Sequence, residues 1–569
     1  MQPTPAPEDL DPLGHSIGES LALGRHLLLV AAPLGLLVGV AIAGYDWVVN
    51  ELLWKSVLAR PLPVQLAAPF FALLLAGVLL RVFRVPSPSM ADEVVKAYHA
   101  PGQGMPTRTA AGKLAASVAT MGLGGSAGME GASKWVGATI GSAVQSGLNR
   151  LGPRPLRWDR KTTLIAGGSA GIAAIFRAPL SGAIMGVESP YKHDLAHEAL
   201  LPALVASATS FWAFTRIRPA SPYFPLSFHY TLASRDLLVA VPLGLAAGLA
   251  SHAFLWTLGG LRGRFERLSG SVVVRTALGG LLLVALAWGS RRLLGAPVTL
   301  QAGLPVANAL LAGKYGLGAA LAIFLLKLLA TAVTFGCGGV GGLFVPTATI
   351  GAALGAAFDA VFAPGHPGVF TLLGIAAFSG ASYNSLLFSA VFVAESTGNV
   401  FLVVPALIAS TVAFTVTAGV SNSKSQRRRR PGWRDELRAV PLSTVMTRRV
   451  ITASPGQTLE AFSRSVLVEH HFKALPVVDD AGALRGMVGL QHLRGVALSE
   501  WSEVLVSEVM DPAPRSLRPE DSVADAARAL QRGPYDYVPV VDPASRALVG
   551  IVSDSDVYRS LGEQAARAA

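Results

Sequence analysis

The sequence has few charged residues and almost no cysteine. Charged residues make up 14% of the 569-residue chain, and Cys337 is its single cysteine. Because soluble domains carry about 25% charged residues, the low charge excludes an ordinary soluble protein over most of the length. One cysteine excludes an intrachain disulfide and any metal site built from cysteines. The start of the chain lacks a basic region followed by an apolar core, so no secretory signal is expected.

Hydrophobic residues, in contrast, make up 51% of the chain and cluster in long runs. Several runs approach the roughly 20 residues that cross a membrane as a helix, and others are interrupted by glycine or proline. Irregular backbone at membrane depth is stable only where it lines a cavity. The pattern predicts an all-α polytopic membrane domain with broken helices, although a generic polytopic protein would share this composition. The runs are 26–49, 63–82, 199–214, 237–258, 272–288, 317–333 and 402–420.

A basic cluster follows the last apolar run, in a chain whose formal net charge is +12. It comprises Lys424, 427–430, Arg434 and Arg438. Basic residues beside a membrane span mark its cytoplasmic side, so we expect a multi-pass protein of the cell membrane, in bacteria the inner membrane, with both chain ends cytoplasmic. Nucleic-acid binding is the weaker interpretation, and no nucleic-acid partner is expected. The expected segments are a cytoplasmic 1–24, a lipid-embedded domain 25–422 and a basic linker 423–439.

The tail beyond Ser421 contains a repeat. Val445-Met446 recurs as Val509-Met510, and residues 486–488 recur as 550–552 at the same spacing. Short β-like segments alternate there with charged, periodic ones. The tail therefore predicts a soluble α+β pair made of two copies of one unit.

The membrane part carries a fainter repeat. Glycines 124, 125, 128, 137 and 141 recur at 338, 339, 342, 351 and 355, so all five matches share one spacing. Further along, Glu188-Ser189 resembles Glu395-Ser396 at a slightly shorter spacing. Weak internal symmetry in a membrane protein indicates a transporter fold whose binding site lies at the repeat interface.

Glu130 lies in the first copy of the glycine-rich pattern, at the opening of an apolar helical segment. Glycines let the backbone approach an ion closely, and free amides at a helix start favour an anion. The second copy, 338–346, also leads into a predicted helix start, with Pro346 suited to its first turn. An ionisable group inside a membrane is costly and usually functional, and Glu130 would compete with a permeant anion for these amides. A glutamate held at the interface by the helix dipole, or close packing of small residues, are the alternatives.

Three motifs make a family resemblance specific. Residues 128–132 (Gly-Met-Glu-Gly-Ala) resemble the G-[KR]-E-G-P motif of the CLC chloride channels and transporters. Residues 342–346 resemble that family's G-x-F-x-P motif, and residues 170–182 its A-G-L-x-A-x-F-x-A-P-L-x-G stretch. The resemblance covers about residues 25–426. It implies CLC-type inverted repeats and a homodimer with one anion pathway in each subunit, with chloride as substrate and no cofactor for transport.

The resemblance also implies roles for individual residues. Glu130 falls on the gating glutamate, whose side chain blocks the pathway until it swings away or is protonated. Ser89 falls on the serine whose hydroxyl coordinates the central anion and favours chloride over nitrate, although Met90 and its neighbours depart from the family's G-S-G-I-P motif. The remaining implied anion ligands are Gly128, Met129, Gly131, Leu343, Phe344 and Val345, together with the position of Ser423.

Two departures from the family bear on mechanism. The inner proton-relay glutamate falls on Ser189, and the inner-gate tyrosine falls on Ser423. Without these groups a proton route needs a substitute, for which Glu188 is the nearest candidate, and the inner constriction should be wider. We therefore expect a glutamate-gated, pH- or voltage-sensitive chloride channel with little proton coupling. The alternative is an H⁺/Cl⁻ exchanger, and a fluoride or nitrate transporter is less favoured.

The repeat in the tail resembles a pair of CBS domains, at about 440–497 and 506–562. Residues 550–556 fit that family's G-h-x-[ST]-x-x-D signature, which implies that Ser553 faces a phosphate and Asp556 the ribose hydroxyls of an adenine nucleotide such as ATP, ADP or AMP. The first copy has Gly489 and His492 at these positions, so at most one good nucleotide site is expected. A purely structural dimerisation module is the alternative.

Other classes fit less well. A cation transporter needs several acidic oxygens that converge in the membrane, and the glutamates here are spread among apolar helices. An intramembrane metalloprotease would need a second histidine where His197-Glu198 is followed by Leu201. The sequence thus predicts neither an enzyme nor a metal site.

Overall fold

The computed structural model describes residues 24–100, 104–106, 108–151, 159–219, 222–226, 230–363, 368–429, 437–438, 440–464 and 473–560. The chain divides into two compact units, 1–430 and 431–569. The first is helical and the second contains short strands, which confirms the predicted all-α membrane domain and α+β tail. The segment 1–23 and, within the predicted linker 423–439, residues 430–436 and 439 lie outside the described residues.

The first unit is built from sixteen α-helices in its described part. They are α1 (Gly24–Leu58), α2 (Leu62–Val82), α3 (Ala91–His99), α4 (Ala110–Gly122), α5 (Glu130–Leu151), α6 (Arg160–Phe176), α7 (Pro179–Glu188), α8 (Leu200–Ile217), α9 (Ser234–Leu268), α10 (Val272–Leu294), α11 (Leu304–Leu311), α12 (Leu317–Cys337), α13 (Phe344–Phe362), α14 (Val369–Tyr383), α15 (Leu386–Thr397) and α16 (Val403–Thr417).

Eight helices in the described ranges are long and apolar enough to cross a membrane. Seven coincide with the apolar runs of the sequence. The eighth, α13, was missed because glycine and threonine interrupt its hydrophobic sequence, although most of it is buried within the unit. Helices α14 and α15 are apolar but shorter, as expected for broken helices that surround an internal site.

The predicted membrane repeat is present in the structure. Gly124 and Gly338 have left-handed φ angles of 94° and 113°, and each ends one helix just before the next begins at Glu130 or Phe344. The two following loops meet in an antiparallel bridge, in which the amide of Gly128 donates to the Gly342 carbonyl (2.7 Å) and the reverse bond is 2.6 Å. The two halves of the unit therefore join at equivalent positions of the repeat.

Other repeated glycines serve helix packing. A Cβ on Gly137 would lie 2.0 Å from the carbonyl oxygen of Gly167, and a Cβ on Gly351 would lie 2.3 Å from that of Gly374. These contacts bring α5 against α6 and α13 against α14 at the same point of each half. Small residues thus allow close helix approach here, as the packing alternative proposed, whereas Gly128 and Gly342 serve the loop bridge.

The second unit contains two antiparallel hairpins. Their strands are β1 (Ala474–Val478) with β2 (Leu484–Gly489), and β3 (Tyr537–Val541) with β4 (Leu548–Ser553). The helices of its described part are α17 (Leu459–Arg464), α18 (Leu490–Leu493), α19 (Val506–Val509), α20 (Val523–Arg532) and α21 (554–560).

The two copies in the second unit exchange short segments. Thr447, which precedes the first hairpin, pairs with Ile551 of β4 through bonds of 2.9 and 3.0 Å. Asp511, at the matching position of the second copy, pairs with Met487 of β2 through bonds of 2.9 and 2.8 Å. Each copy therefore completes the sheet of the other, so the pair is expected to fold as one unit.

Candidate functional site

Glu130 is the first residue of α5, and its carboxylate lies where the two halves of the membrane unit meet. Its side chain is 2% exposed. One oxygen, Oε1, accepts a hydrogen bond from the backbone amide of Phe344 at the start of α13. The other oxygen, Oε2, has no hydrogen-bond partner among the described residues. A buried carboxylate with only one of its two oxygens hydrogen-bonded lowers the stability of the fold. A functional reason for the position of Glu130 is therefore expected.

Glycines make the space for this carboxylate. A Cβ on Gly128 would lie 2.1 Å from Oε2 of Glu130, and a Cβ on Gly342 would lie 2.2 Å from Oε1. A Cβ on Gly131 would lie 2.8 Å from the Cα of Gly342. The glycine-rich motifs therefore hold two helix starts close together with a carboxyl group between them. Free amides at two helix starts favour negative charge at this point.

A cavity of about 110 Å³, which we call the Arg177 cavity, opens beside Glu130. Its lining includes Asp46, Asn50, Met129, Glu130, Arg177, Gln301 and Val345. Asn50 donates to Asp46 (2.8 Å) and accepts from the side chain of Gln301 (3.1 Å). Arg218 in turn pairs with Asp46 at 2.7 Å. The Arg177 cavity is thus polar and hydrogen-bonded, with both signs of charge.

The sequence analysis did not predict these cavity residues. Asp46 and Asn50 are four residues apart at the end of an apolar run, and this spacing could have indicated a polar helix face. Arg177 lies inside the quoted 170–182 stretch. Gln301 lies in a loop with no local signal.

A second, smaller cavity of about 20 Å³ is lined by Lys134 of α5, and we call it the Lys134 cavity. Its polar lining residues are Asp92, Lys134, Ser189, Tyr383, Ser385, Asn422, Ser423 and Gln426. Lys134 follows Glu130 by one turn of α5, so the two side chains share one helix face. The cavities thus lie at successive levels along α5.

Tyr383, at the end of α14, supplies an aromatic ring that the alignment did not predict. Its hydroxyl accepts a hydrogen bond from the amide of Leu343 at 3.0 Å, and its ring centroid lies 5.8 Å from that of Phe344. Ser423 lines the same cavity and donates to Asp92 at 2.8 Å. Tyr383 and Ser423 therefore line one cavity, and the wider inner constriction expected at Ser423 stays a prediction.

Backbone amides are less available than the resemblance implied. The amide of Gly128 is bonded to Gly342, and that of Leu343 to Tyr383, so neither is free for an anion. Anion binding by these two amides would need those bonds to break, and it stays a prediction. The amide of Phe344 holds Glu130, while Met129 and Val345 line the Arg177 cavity. For Gly131 and Val345, anion binding stays a prediction.

Ser89 precedes α3 and is fixed through its backbone. Its carbonyl accepts a hydrogen bond from the ammonium of Lys113 at 3.0 Å, and Lys113 also pairs with Glu93 at 2.7 Å. Met90, next in the chain, is buried. The predicted contact of the Ser89 hydroxyl with an anion remains untested by these contacts.

The predicted proton-path residues have structural contacts. The two carboxylate oxygens of Glu188 accept the amides of Leu387 and Phe388, both at 3.0 Å, at the start of α15. The hydroxyl of Ser189 donates to the carbonyl of Met185 in its own helix. Glu188 therefore caps a neighbouring helix, and its proposed relay role stays a prediction.

Glu395 makes the matching contact in the other half. Its carboxylate accepts the amides of Leu180 (2.9 Å) and Ser181 (2.7 Å) at the start of α7. Each helix of the pair α7 and α15 thus ends in a glutamate that caps the start of the other. Such caps satisfy amides that have no partner within the helix.

In the second unit, Ser553 and Asp556 form a capping pair at the start of α21. Oδ2 of Asp556 accepts the amide (3.0 Å) and the hydroxyl (2.8 Å) of Ser553, and Arg559 lies 3.6 Å from its other oxygen. In the first copy, His492 accepts the amide of Gly489 at 3.0 Å in the same way. The signature therefore has a local structural use, and ribose binding by Asp556 stays a prediction.

Comparisons with known proteins identify the family of each part of the chain. The family model described as voltage gated chloride channel matches residues 71–418, and the CBS domain model matches 442–499 and 506–563. A ClcB-like protein of Ralstonia nicotianae, provisionally named a chloride channel protein, is 28% identical over 64% of this chain and 86% of its own length. An uncharacterized protein of Methanocaldococcus jannaschii is 26% identical over 54% of this chain and 73% of its own length.

Solved structures show the same fold. A CLC-type fluoride/proton antiporter matches with a TM-score of 0.62 and 23% identity over 71% of this chain and 98% of that chain. A slow cyanobacterial Cl⁻/H⁺ antiporter matches with a TM-score of 0.59 and 22% identity, over 70% of this chain and 95% of that chain. A eukaryotic CLC transporter matches with a TM-score of 0.60 and 19% identity, over 94% of this chain and 98% of that chain. Among the described residues, no group of three or more His, Cys, Asp or Glu side chains could hold a metal ion.

Proposed function

Because the chain belongs to the voltage-gated chloride channel family and carries tandem CBS domains, we propose that it conducts chloride through a pathway gated by Glu130, with little obligatory proton coupling. Family members are transporters or channels, and the chain is a multi-pass membrane protein. We further propose a homodimer, with one pathway in each subunit.

One observation carries the proposed gate. The carboxylate of Glu130 accepts the amide of Phe344 between two helix starts, which is where a permeant anion would be stabilised. The Arg177 cavity leads to this carboxylate from one side, and the Lys134 cavity lies one helical turn away. An ionised Glu130 would therefore exclude chloride from its amides, and a neutral or displaced side chain would release them.

The contacts of the inner residues support weak proton coupling. Glu188 is bound through both carboxylate oxygens to α15, and the Ser189 hydroxyl donates to its own helix. A proton relay must accept and release protons on a path to the gate. Glu188 would have to break its cap to do so.

One observation favours the exchanger as a second candidate. An exchanger needs two constrictions that never open together, and the Lys134 cavity is narrow, with room for about one water molecule. Tyr383 beside it supplies an aromatic group at that level. A fluoride or nitrate transporter is the less favoured alternative.

Chloride efflux from proteoliposomes tests the proposed function directly. We expect chloride to permeate better than fluoride when each anion is supplied alone, because a hydroxyl such as that of Ser89 suits the larger, more weakly hydrated ion. Ser89→Ala should reduce this preference. Liposomes lacking protein give the background, and a strong preference of the wild type for fluoride would contradict the proposed selectivity.

We propose that the CBS pair binds an adenine nucleotide. Asp556→Asn should weaken ATP, ADP or AMP binding to the full-length protein by about tenfold, because it removes the charge of a ribose acceptor while the amide oxygen can still cap α21. Isothermal titration calorimetry in detergent measures this change. His492→Ala, the equivalent position of the first copy, should leave affinity nearly unchanged. Undetectable nucleotide binding by the folded wild type would leave only the structural role.

A further inference from the structure

Lys134 is a buried cation in the part of the membrane unit where an anion would pass. It is 3% exposed and lines the Lys134 cavity, one turn along α5 from Glu130. Its position on the helix face of Glu130 makes it part of the same pathway. No sequence motif indicated it.

The ammonium of Lys134 makes no hydrogen bond or ion pair with any described residue. Two other buried lysines of this unit are well bound: Lys113 pairs with Glu93 at 2.7 Å, and Lys327 donates to the carbonyls of Thr299 (3.3 Å) and Gln301 (2.5 Å). An unpaired buried ammonium is costly, so a compensating partner is expected. The contrast with the other lysines marks Lys134 as poised for a ligand.

The carboxylate that faces this cavity is already engaged. Asp92 accepts the hydroxyl of Ser423 (2.8 Å) and both the amide and the hydroxyl of Ser425 (2.9 Å each). These bonds fold the 421–426 segment over the start of α3. Asp92 therefore lowers the local positive charge without forming an ion pair with Lys134.

The hydroxyl of Tyr383 has a proton to offer to a ligand in the cavity. The hydroxyls of Ser189 and Ser423 donate to Met185 and Asp92, respectively. Tyr383 instead accepts from the amide of Leu343, which leaves its own O–H proton available. The cavity thus presents an ammonium and a phenolic O–H, both of which are donors.

We propose that Lys134 and Tyr383 form an anion-binding site of this protein, one helical turn from the Glu130 gate. The cavity volume of about 20 Å³ suits one small monovalent anion and excludes phosphate or a carboxylate-bearing metabolite. Given the proposed function, on which this inference rests, the anion is chloride. The donors of this site are side chains, whereas the backbone amides of Gly128 and Leu343 are hydrogen-bonded within the protein.

Chloride binding to the full-length protein in detergent tests this site. By calorimetry, Lys134→Met should weaken chloride binding by about tenfold or more. Methionine has a side chain of similar length, but it lacks the charge and the N–H donors of lysine. Lys134→Arg should stay within about threefold of the wild type, since the charge is retained. Tyr383→Phe should weaken binding by a smaller factor. Lys314→Met, at an exposed lysine, makes the same charge change outside the cavity and should have no effect.

A second measurement uses the wild type, so it tests the site even if the variants fail to fold. Crystals of the wild type grown in bromide should show its anomalous signal in contact with Nζ of Lys134 and Oη of Tyr383. Bromide bound elsewhere in the pathway but absent from these atoms would overturn the site, as would wild-type affinity and flux in a folded Lys134→Met. Bromide at Lys134 in a protein that conducts no chloride would support the site and refute the proposed function.

Discussion

Glu130→Gln should raise chloride flux through reconstituted protein on the order of tenfold and remove most of its pH dependence. A bond between an amide and a charged carboxylate is worth about 1.5–3 kcal/mol, and the neutral amide side chain gives up much of that interaction. The Phe344 amide then becomes available to chloride. In the wild type, protonation has the same effect, so flux should rise as pH falls on the side from which Glu130 is reached.

Glu130→Ala extends this test, because it empties the position between Gly128 and Gly342. It should also raise flux and flatten the pH profile, and the effect should be at least as large as with glutamine. Chloride efflux from proteoliposomes between pH 4.5 and 7.5 provides the measurement. Glu266→Gln removes a charge from an exposed position of α9 and should behave as the wild type. A wild-type pH profile in Glu130→Gln would rule out Glu130 as the gate.

The second large effect concerns protons. We expect the wild type to move chloride with little or no obligatory proton movement, because Ser189 cannot titrate and Glu188 caps α15 through both oxygens. A chloride gradient is imposed across proteoliposomes, and external chloride and pH are followed together. The reversal potential under crossed chloride and proton gradients gives the coupling ratio. Uphill proton movement at a fixed ratio would establish the exchanger.

Two matched variants separate a proton relay from a helix cap. Glu188→Gln and Glu395→Gln each weaken one of the two reciprocal caps between α7 and α15, and each should cost about 1–3 kcal/mol of stability. The thermal unfolding midpoint in detergent should fall in both. If Glu188 acts only as a cap, both variants keep the wild-type ratio of protons to chloride. A change of that ratio in Glu188→Gln alone would assign it to the proton path.

The sequence motifs differ in what they do in the structure. The glycines that recur at one constant spacing predicted both the internal repeat and the meeting of two helix starts, because a missing Cβ has the same consequence in either half. The repeat of the second unit was likewise predicted from the sequence. The signature at Ser553 and Asp556, however, is used locally as a helix cap, since a hydroxyl and a carboxylate three residues apart satisfy the first amides of α21.

The sequence by itself determined the class of the protein, its division into a membrane domain and a CBS pair, and the place of Glu130 in a glycine-rich helix start. These features depend on hydrophobic runs and on backbone freedom, which neighbouring residues encode. Tertiary structure alone decided which side chains surround Glu130. Tyr383 comes from a helix of the other half of the repeat, and Ser423 meets Asp92 from the far end of the membrane domain. Contacts at such separations depend on how the helices pack, and no local pattern records that packing.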